Sequence, residues 1–311
     1  MNAISGTAAE ALLLRLGCAG IRQYFQAAPW RFGKQWLWDR VVQRHVAWRS
    51  FPIEARTRFG ARIVGRFPDA VHSHVYFFGV WEPAVTALYR ATLRDGDVVV
   101  DIGANVGLHT LLAAQLVGAT GRVHAVEASP HIFARLQGNI TANGATQVRA
   151  WNMAATDIPG EVPVFLHDDR NLGGTTIIAI EAAKAGSALE TMVAGLPIGQ
   201  IVPEADLLAA KLIKIDVEGA EWLVVQGMLD LLPRLRADVS ILIEVNQAAL
   251  AVLGGSLDAL LEIFAQAGFS AFEVANAYEG AFYIGPVPDV PQPLARRNFA
   301  IADLLFRRVA A

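Results

Sequence analysis

One cysteine stands in 311 residues. With Cys18 alone, neither an intramolecular disulfide nor a cysteine-based zinc site can form, and a reducing, cytoplasmic compartment is expected. Long hydrophobic runs are also missing. No uninterrupted apolar stretch reaches the roughly 18–20 residues that a membrane span requires, and the Leu12–Leu14 run stops at Arg15. The first residues lack a basic segment and carry Glu10 early, so no secretory signal is expected. Charge is scarce, at 18% of residues against 54% hydrophobic, with a mean hydropathy of +0.37. That balance excludes a disordered chain and supplies ample material for a core. A net charge of −3 and a pI near 6.2 argue against a basic nucleic-acid binder.

What charge there is lies unevenly. Residues 1–66 hold 11 Arg and Lys against Glu10, Asp39 and Glu54, a balance of +8. The remaining 245 residues hold 15 basic and 26 acidic groups, a balance of −11. Trp30, Trp36, Trp38 and Trp48 also fall in the first 50 residues. This division predicts an N-terminal basic, Trp-rich helical extension over 1–74 and a main domain over 75–311. Ala8–Phe25 and Lys34–Trp48 read as helices, the second with Trp38, Val41, Val42, His45 and Val46 at helical spacing. The alternation over Arg56–Phe67 fits a short hairpin with Gly60 in its turn.

From residue 95 the chain alternates aliphatic strands with helices. Val98–Asp101, Val123–Glu127, Val148–Met153, Leu212–Asp216 and Ile241–Val245 read as strands. Asn105–Val117 reads as a helix, and Ser129-Pro130 is an N-cap followed by proline at the first helical position. Strands this continuously aliphatic are covered on both faces, which predicts a doubly wound α/β fold.

In such sheets ligands bind beyond the C-terminal strand ends. The stretch Asp101-Ile-Gly103-Ala-Asn105-Val-Gly107 follows the first strand. Its glycines allow close backbone approach, and the next helix N-terminus favours negative charge. It is not the G-x-G-x-x-G of dinucleotide enzymes, because Ala104 breaks the spacing. Asp101 would repel a pyrophosphate yet pair with an ammonium, which suits an amino-acid-bearing cofactor such as S-adenosylmethionine; a structural turn is the plainer alternative. Glu127, 20 residues after Gly107, stands where a ribose diol would be held. Lys214-Ile-Asp216-Val-Glu218-Gly-Ala-Glu221 then delivers three acids to the cleft at the fourth strand's end.

Taken together, Asp101–Gly107, Glu127 and Ile215–Glu221 resemble the FkbM family of S-adenosylmethionine-dependent methyltransferases. Phe78–Pro83 and Asn171–Thr176 are similar to further family segments, and the resemblance spans roughly residues 75–285. The family usually has a Thr-Leu-Asp-like stretch before the fourth strand, where Leu189–Asp206 is longer and different. The resemblance implies a Rossmann-like class I methyltransferase with a mostly parallel seven-stranded sheet. It implies O-methylation of a sugar, polyketide or other small metabolite. On that basis Asp101, Gly103, Asn105 and Gly107 would surround the methionine part of the cofactor, Asp216 would stand at the methyl-transfer cleft, and Glu82 would also contact the cofactor. Glu127 would hold the ribose, and Ala154 or Asp157 would lie near the adenine.

An alcohol acceptor must lose a proton, and His74, His109, Asp216 and Glu218 are the candidate bases. A second option is Mg²⁺ held by Asp216, Glu244 and Asn246. The expected partner is a small-molecule or glycan acceptor. No nucleic acid is expected, because no Asp/Asn-Pro-Pro-aromatic sequence follows the fourth strand to hold a flipped base. Two readings compete with the enzyme. In one, the sheet is a cofactor-binding or inactive platform, and residues 1–66 lie on an anionic membrane or meet a partner. The same helices could instead cap the core or form a homo-oligomer interface. In the other, the chain is an NAD-dependent oxidoreductase, which Ala104 disfavours.

Overall fold

The computed structural model describes residues 8–166, 175–287 and 291–309. Two compact units emerge: residues 1–81 with 277–287, and residues 82–276 with 288–311. The first therefore ends at Trp81, and the expected boundary at 74/75 falls within the helix Ala70–Phe78.

In the first unit the helix Ala8–Ala27 precedes a second that starts at Lys34–Leu37 and widens over Trp38–Val46. There the amide of Ala47 reaches the carbonyl of Val42, a π-type turn. This wider winding buries Trp38, Val42 and Val46 at every fourth position and leaves His45 exposed, whereas ordinary helical spacing predicted His45 on the apolar stripe. Strands β1 (Phe51–Arg56) and β2 (Arg62–Phe67) form the expected hairpin, with Gly60 in its turn at φ 94°. The unit's core is aromatic: Phe25, Trp38, Phe67, Phe77 and Phe78 are buried, and the Phe25 and Phe78 rings stack at 5.2 Å.

The second unit is built on one large sheet. Its strands are β3 (Val98–Ile102), β4 (Arg122–Val126), β5 (Val148–Trp151), β9 (Ala210–Ile215), β10 (Ser240–Asn246), β11 (Ser270–Val274), β12 (Gln292–Pro293) and β13 (Ile301–Arg307). They lie in the order β12-β11-β13-β10-β9-β3-β4-β5. All pairings from β5 to β10 are parallel, and β13 runs antiparallel to both β10 and β11. The eighth strand, β12, is a two-residue edge pairing beyond the seven expected. The chain builds outward from β3 through β4 and β5, then returns to the other side through β9 and β10. The order thus reverses between β3 and β9, the arrangement of a doubly wound α/β fold. A separate sheet has the order β6-β8-β7, from β6 (Ala154–Ala155), β7 (Gly160–Leu166) and β8 (Ala188–Leu196). The first part of the unmatched Leu189–Asp206 stretch is therefore strand β8, and short helices follow at Ile198–Ile201 and Glu204–Ala209.

Alternation along the strands separates two faces. Val100, Ile102, Ile213, Ile215, Ile241, Ile243 and Phe306 point into the larger apolar core. Each such buried side chain contributes about 1.5–3 kcal/mol relative to exposure. The opposite face carries polar groups, and there the site lies.

Candidate active site

The register sets Asp101 of β3 beside Lys214 of β9, and Lys214 beside Leu242 of β10. Two residues along β10, on the same face, Glu244 stands opposite Asp303 of β13. Asp101, Lys214 and Asp303 are buried. The Lys214 ammonium lies 2.6 Å from Asp216 Oδ2, and Asn276 Nδ2 donates to Asp303 Oδ2 at 2.8 Å. Glu82, buried at the start of the helix Pro83–Thr92, adds its carboxylate to this set. Burial pushes Glu82 upward, the charges of Asp303 and Asp216 push further, and Lys214 opposes them. Burial likewise raises Asp101, Glu218, Glu244 and Asp303. Lys214 is held well above its ordinary value, because Asp216, Asp101 and Glu82 outweigh its own desolvation. Six acidic side chains thus cluster with one lysine among the described residues, and Asp216 meets its ammonium directly. Asp101 Oδ2 accepts from Thr110 Oγ1 at 2.5 Å, while among the described residues its buried Oδ1 has no hydrogen bond of ordinary geometry.

The turn after β3 is irregular, so the expected helix begins at Leu108 rather than Asn105. Gly103, Asn105 and Gly107 all have positive φ, at 82°, 50° and 92°, which a right-handed helix excludes. Gly103 is also sterically required: a Cβ there would stand 1.7 Å from the Asp216 carbonyl oxygen. Glu127, just past β4, braces this turn. Its Oε2 accepts from the Asn105 amide at 2.9 Å and its Oε1 from the Ser129 amide at 2.9 Å. Burial raises the Glu127 carboxyl to about 7 against the pull of those amides. Ser129 caps the helix Pro130–Ala142, as its sequence signal predicts.

Beyond β9, Glu221 Oε1 accepts from the amides of Val217 and Gly219, both at 3.0 Å, and so shapes the turn carrying Asp216 and Glu218. Glu218 itself has φ 53°. The carboxylates of Asp216, Glu218 and Glu244 bring ligand atoms within 4.8 Å of one another. Asn246, expected as their amide partner, instead accepts from the amides of Ala248 and Ala249 at the start of the next helix.

Of the expected bases, Asp216, Glu218 and His109 lie in the second unit. Burial and the Lys214 charge hold His109 well below its ordinary value, which favours the neutral imidazole. Its buried Nε2 makes no hydrogen bond among the described residues and stands 3.5 Å from Glu82 Oε2. His74 lies in the first unit, where both ring nitrogens face backbone carbonyls, of Ala70 at 2.8 Å and Tyr278 at 3.1 Å. Ala154 packs with Val164 and Val193. Asp157 follows β6, where the end of the helix Glu221–Gln226 passes so close that a Cβ on Gly227 would stand 2.1 Å from the Thr156 carbonyl oxygen. Asn171–Gly174 lie outside the described residues. Sequence reasoning assigned no role to Lys214, Asn276 or Asp303. Their signal was a lone charge within an aliphatic strand for Lys214 and Asp303; Asn276 offered none.

A family model described as the methyltransferase FkbM domain matches residues 101–271. The chain belongs to the FkbM methyltransferase family. Among curated proteins it is 31% identical over 184 residues to the 31-O-demethyl-FK506 methyltransferase FkbM of Streptomyces tacrolimicus, covering 50% of this chain and 69% of that protein. It is 27% identical over 153 residues to a protein-L-isoaspartate O-methyltransferase of Ignicoccus hospitalis, covering 44% and 64%. Among solved structures, a SAM-dependent O-methyltransferase from Thermotoga maritima has a TM-score of 0.41 at 12% identity, covering 83% of this chain and 78% of that one. A putative rRNA methylase from Clostridium thermocellum has a TM-score of 0.40 at 12% identity, covering 73% and 94%. The family is one of SAM-dependent methyltransferases, and it lends the NAD-dependent reading no support.

The donor set fits S-adenosylmethionine. An ammonium and a sulfonium match a cluster of six acids that holds one lysine among the described residues, and the buried Asp101 Oδ1, without a hydrogen bond among those residues, is an acceptor open to such a cation.

Proposed function

We propose that this FkbM-family protein is an O-methyltransferase acting on a hydroxyl of a sugar, polyketide or other small metabolite. The observation that carries the reading is the rank of buried acids at the strand ends, short of positive charge. S-adenosylmethionine supplies an already activated methyl group on sulfur. Asp101, Asp216 and Glu82 hold its cationic end. Glu127, whose two oxygens each keep a lone pair beyond the bonds to Asn105 and Ser129, accepts from the ribose hydroxyls. The remaining task is alignment and removal of one proton. Glu218 suits that task, because burial and the charges of Asp216 and Glu221 raise its proton affinity. The name of the Streptomyces relative, which places its methylation at an oxygen, supports oxygen as the acceptor atom.

The Lys214 ammonium already meets Asp216 Oδ2 at 2.6 Å, which disfavours a divalent cation on that carboxylate. Calorimetry with S-adenosylmethionine and S-adenosylhomocysteine tests the reading. Micromolar binding of both is expected, together with a Glu218→Gln protein that binds normally and turns over slowly. Absence of binding by either ligand defeats the proposal. Turnover that stops in EDTA and returns with Mg²⁺ would replace Glu218 by a metal.

A further inference from the structure

The first unit exposes three aromatic rings within one short stretch of chain. Between the helices Ala8–Ala27 and Lys34–Leu37, Trp30 is 60% exposed and Phe32 87%, and Trp36 on the following turn is 62% exposed. Isolated exposed apolar residues are ordinary, but three aromatics within positions 30–36 are not. The connection is nonetheless tied down. The buried Lys34 ammonium donates to the carbonyls of Phe25 at 2.9 Å and Ala28 at 2.8 Å, closing the end of the first helix. The Tyr24 hydroxyl donates to the Phe32 carbonyl, and the Lys34 amide to the Arg31 carbonyl at 3.2 Å. Polar bonds to the backbone therefore hold the loop, while its own rings stay in water. Trp38, only two positions on, is 2% exposed in the aromatic core.

The charge along this stretch is predominantly positive. Residues 29–49 hold Arg31, Lys34, Arg40, Arg44 and Arg49 against Asp39 alone. Arg31, Arg40 and Arg44 are exposed, and among the described residues none has an ion-pair partner. Asp39 is occupied by the Gln35 amide at 2.9 Å. Aromatic side chains with an apolar body settle at a lipid–water interface, and unpaired arginines draw anionic headgroups.

We propose that the first unit docks on an anionic membrane surface. Trp30, Phe32 and Trp36 enter the interface, and Arg31, Arg40 and Arg44 contact the headgroups. This goes beyond the methyltransferase reading and does not depend on it.

The test is sedimentation of the full chain with phosphatidylcholine vesicles, with and without phosphatidylglycerol, at low salt. Retention by the anionic vesicles at least about tenfold stronger is expected, with a blue shift of tryptophan emission. W30S/F32S/W36S should lose retention while keeping the parent's thermal midpoint, and R31E/R40E/R44E should lose the preference for phosphatidylglycerol. Equal retention by both vesicle types overturns the proposal, as does unchanged retention of the aromatic variant. A stable dimer in solution that the aromatic variant dissociates would assign these rings to a second copy of the chain and overturn it equally.

Discussion

The carbonyl of Asp216 passes so close to Gly103 that a Cβ on Gly103 would lie 1.7 Å from its oxygen. The Asp216 amide meanwhile donates to the Ile102 carbonyl at 3.0 Å. The turns after β3 and β9 are thus pressed together at the point where the strand order reverses. Gly103→Ala forces either backbone to move and also strains a residue at φ 82°. We expect a loss of about 3 kcal/mol or more in denaturant unfolding. Gly60→Ala is the control. Its φ is 94° but nothing lies within 4 Å, so only the backbone cost of about 1 kcal/mol is expected. Equal costs at the two positions would contradict the close approach.

Gly138 carries the opposite prediction. It lies exposed within the helix Pro130–Ala142, its φ is not positive, and an added Cβ meets nothing within 4 Å. Gly138→Ala should stabilise by about 0.5–1 kcal/mol through helix propensity alone. A lower unfolding midpoint would show a neighbour that the structure does not place there.

Glu127 acts twice, as a brace and as a ligand-facing acceptor. A glutamine in its place has one oxygen for two amide donors, and its NH₂ would oppose the amide of Asn105 or Ser129. Glu127→Gln should therefore cost about 1–2 kcal/mol of stability and weaken S-adenosylhomocysteine binding by about tenfold or more. Calorimetry and thermal unfolding on the same sample separate the two effects. Full retention of affinity would remove Glu127 from the site.

Asp101, Glu127 and Asp216 could be named as candidates from the sequence because each lies at or just past the end of an aliphatic strand, and topology delivers strand ends to the cleft. Gly103 and Gly107 were legible for the same reason. Lys214 was visible in the same stretch but took its meaning only when the register placed it beside Asp101. Asp303 comes from the far end of the chain, and no local pattern announces that β13 inserts next to β10. Asn246 shows the reverse: at a strand end it read as a ligand, while helix capping, a local competitor for the same oxygen, took it. The π winding at Trp38–Val46 escaped because a periodicity read at ordinary helical spacing assumes the winding in advance.

The buried acids give the ligand-free protein a distinctive pH dependence. Burial raises Glu127 and Glu221 each to about 7, and it raises Glu82, Glu244 and Asp303 as well. In the unfolded chain such carboxyls titrate near their ordinary value of 4.5. Between about 4.5 and 7 the native state therefore binds more protons than the unfolded state, so these groups lower stability as pH rises. The thermal midpoint should be higher at pH 6 than at pH 8. A cationic ligand favours the ionised acids, so S-adenosylmethionine should stabilise more at pH 8 than at pH 6. A midpoint that climbs steadily from pH 6 to 8 without ligand would contradict the protonated rank.

Lys214→Met isolates the one positive charge within that rank. The methionine keeps most of the stem volume and removes the ammonium that Asp216 meets at 2.6 Å. Asp101, Asp216 and Glu82 are then left without the cation that lowers Asp101 and Glu82. Breaking a buried pair in this way costs about 3–5 kcal/mol when the partners stay ionised. They need not all stay ionised: without Lys214, Asp101 and Glu82 titrate at still higher pH, and protonation relieves the repulsion. The variant should therefore lose the full amount at pH 8 and distinctly less at pH 6, where wild type and variant differ least in proton uptake cost. Urea unfolding at the two pH values measures the difference. A pH-independent loss would mean that Lys214 contributes through packing of its stem rather than through its charge.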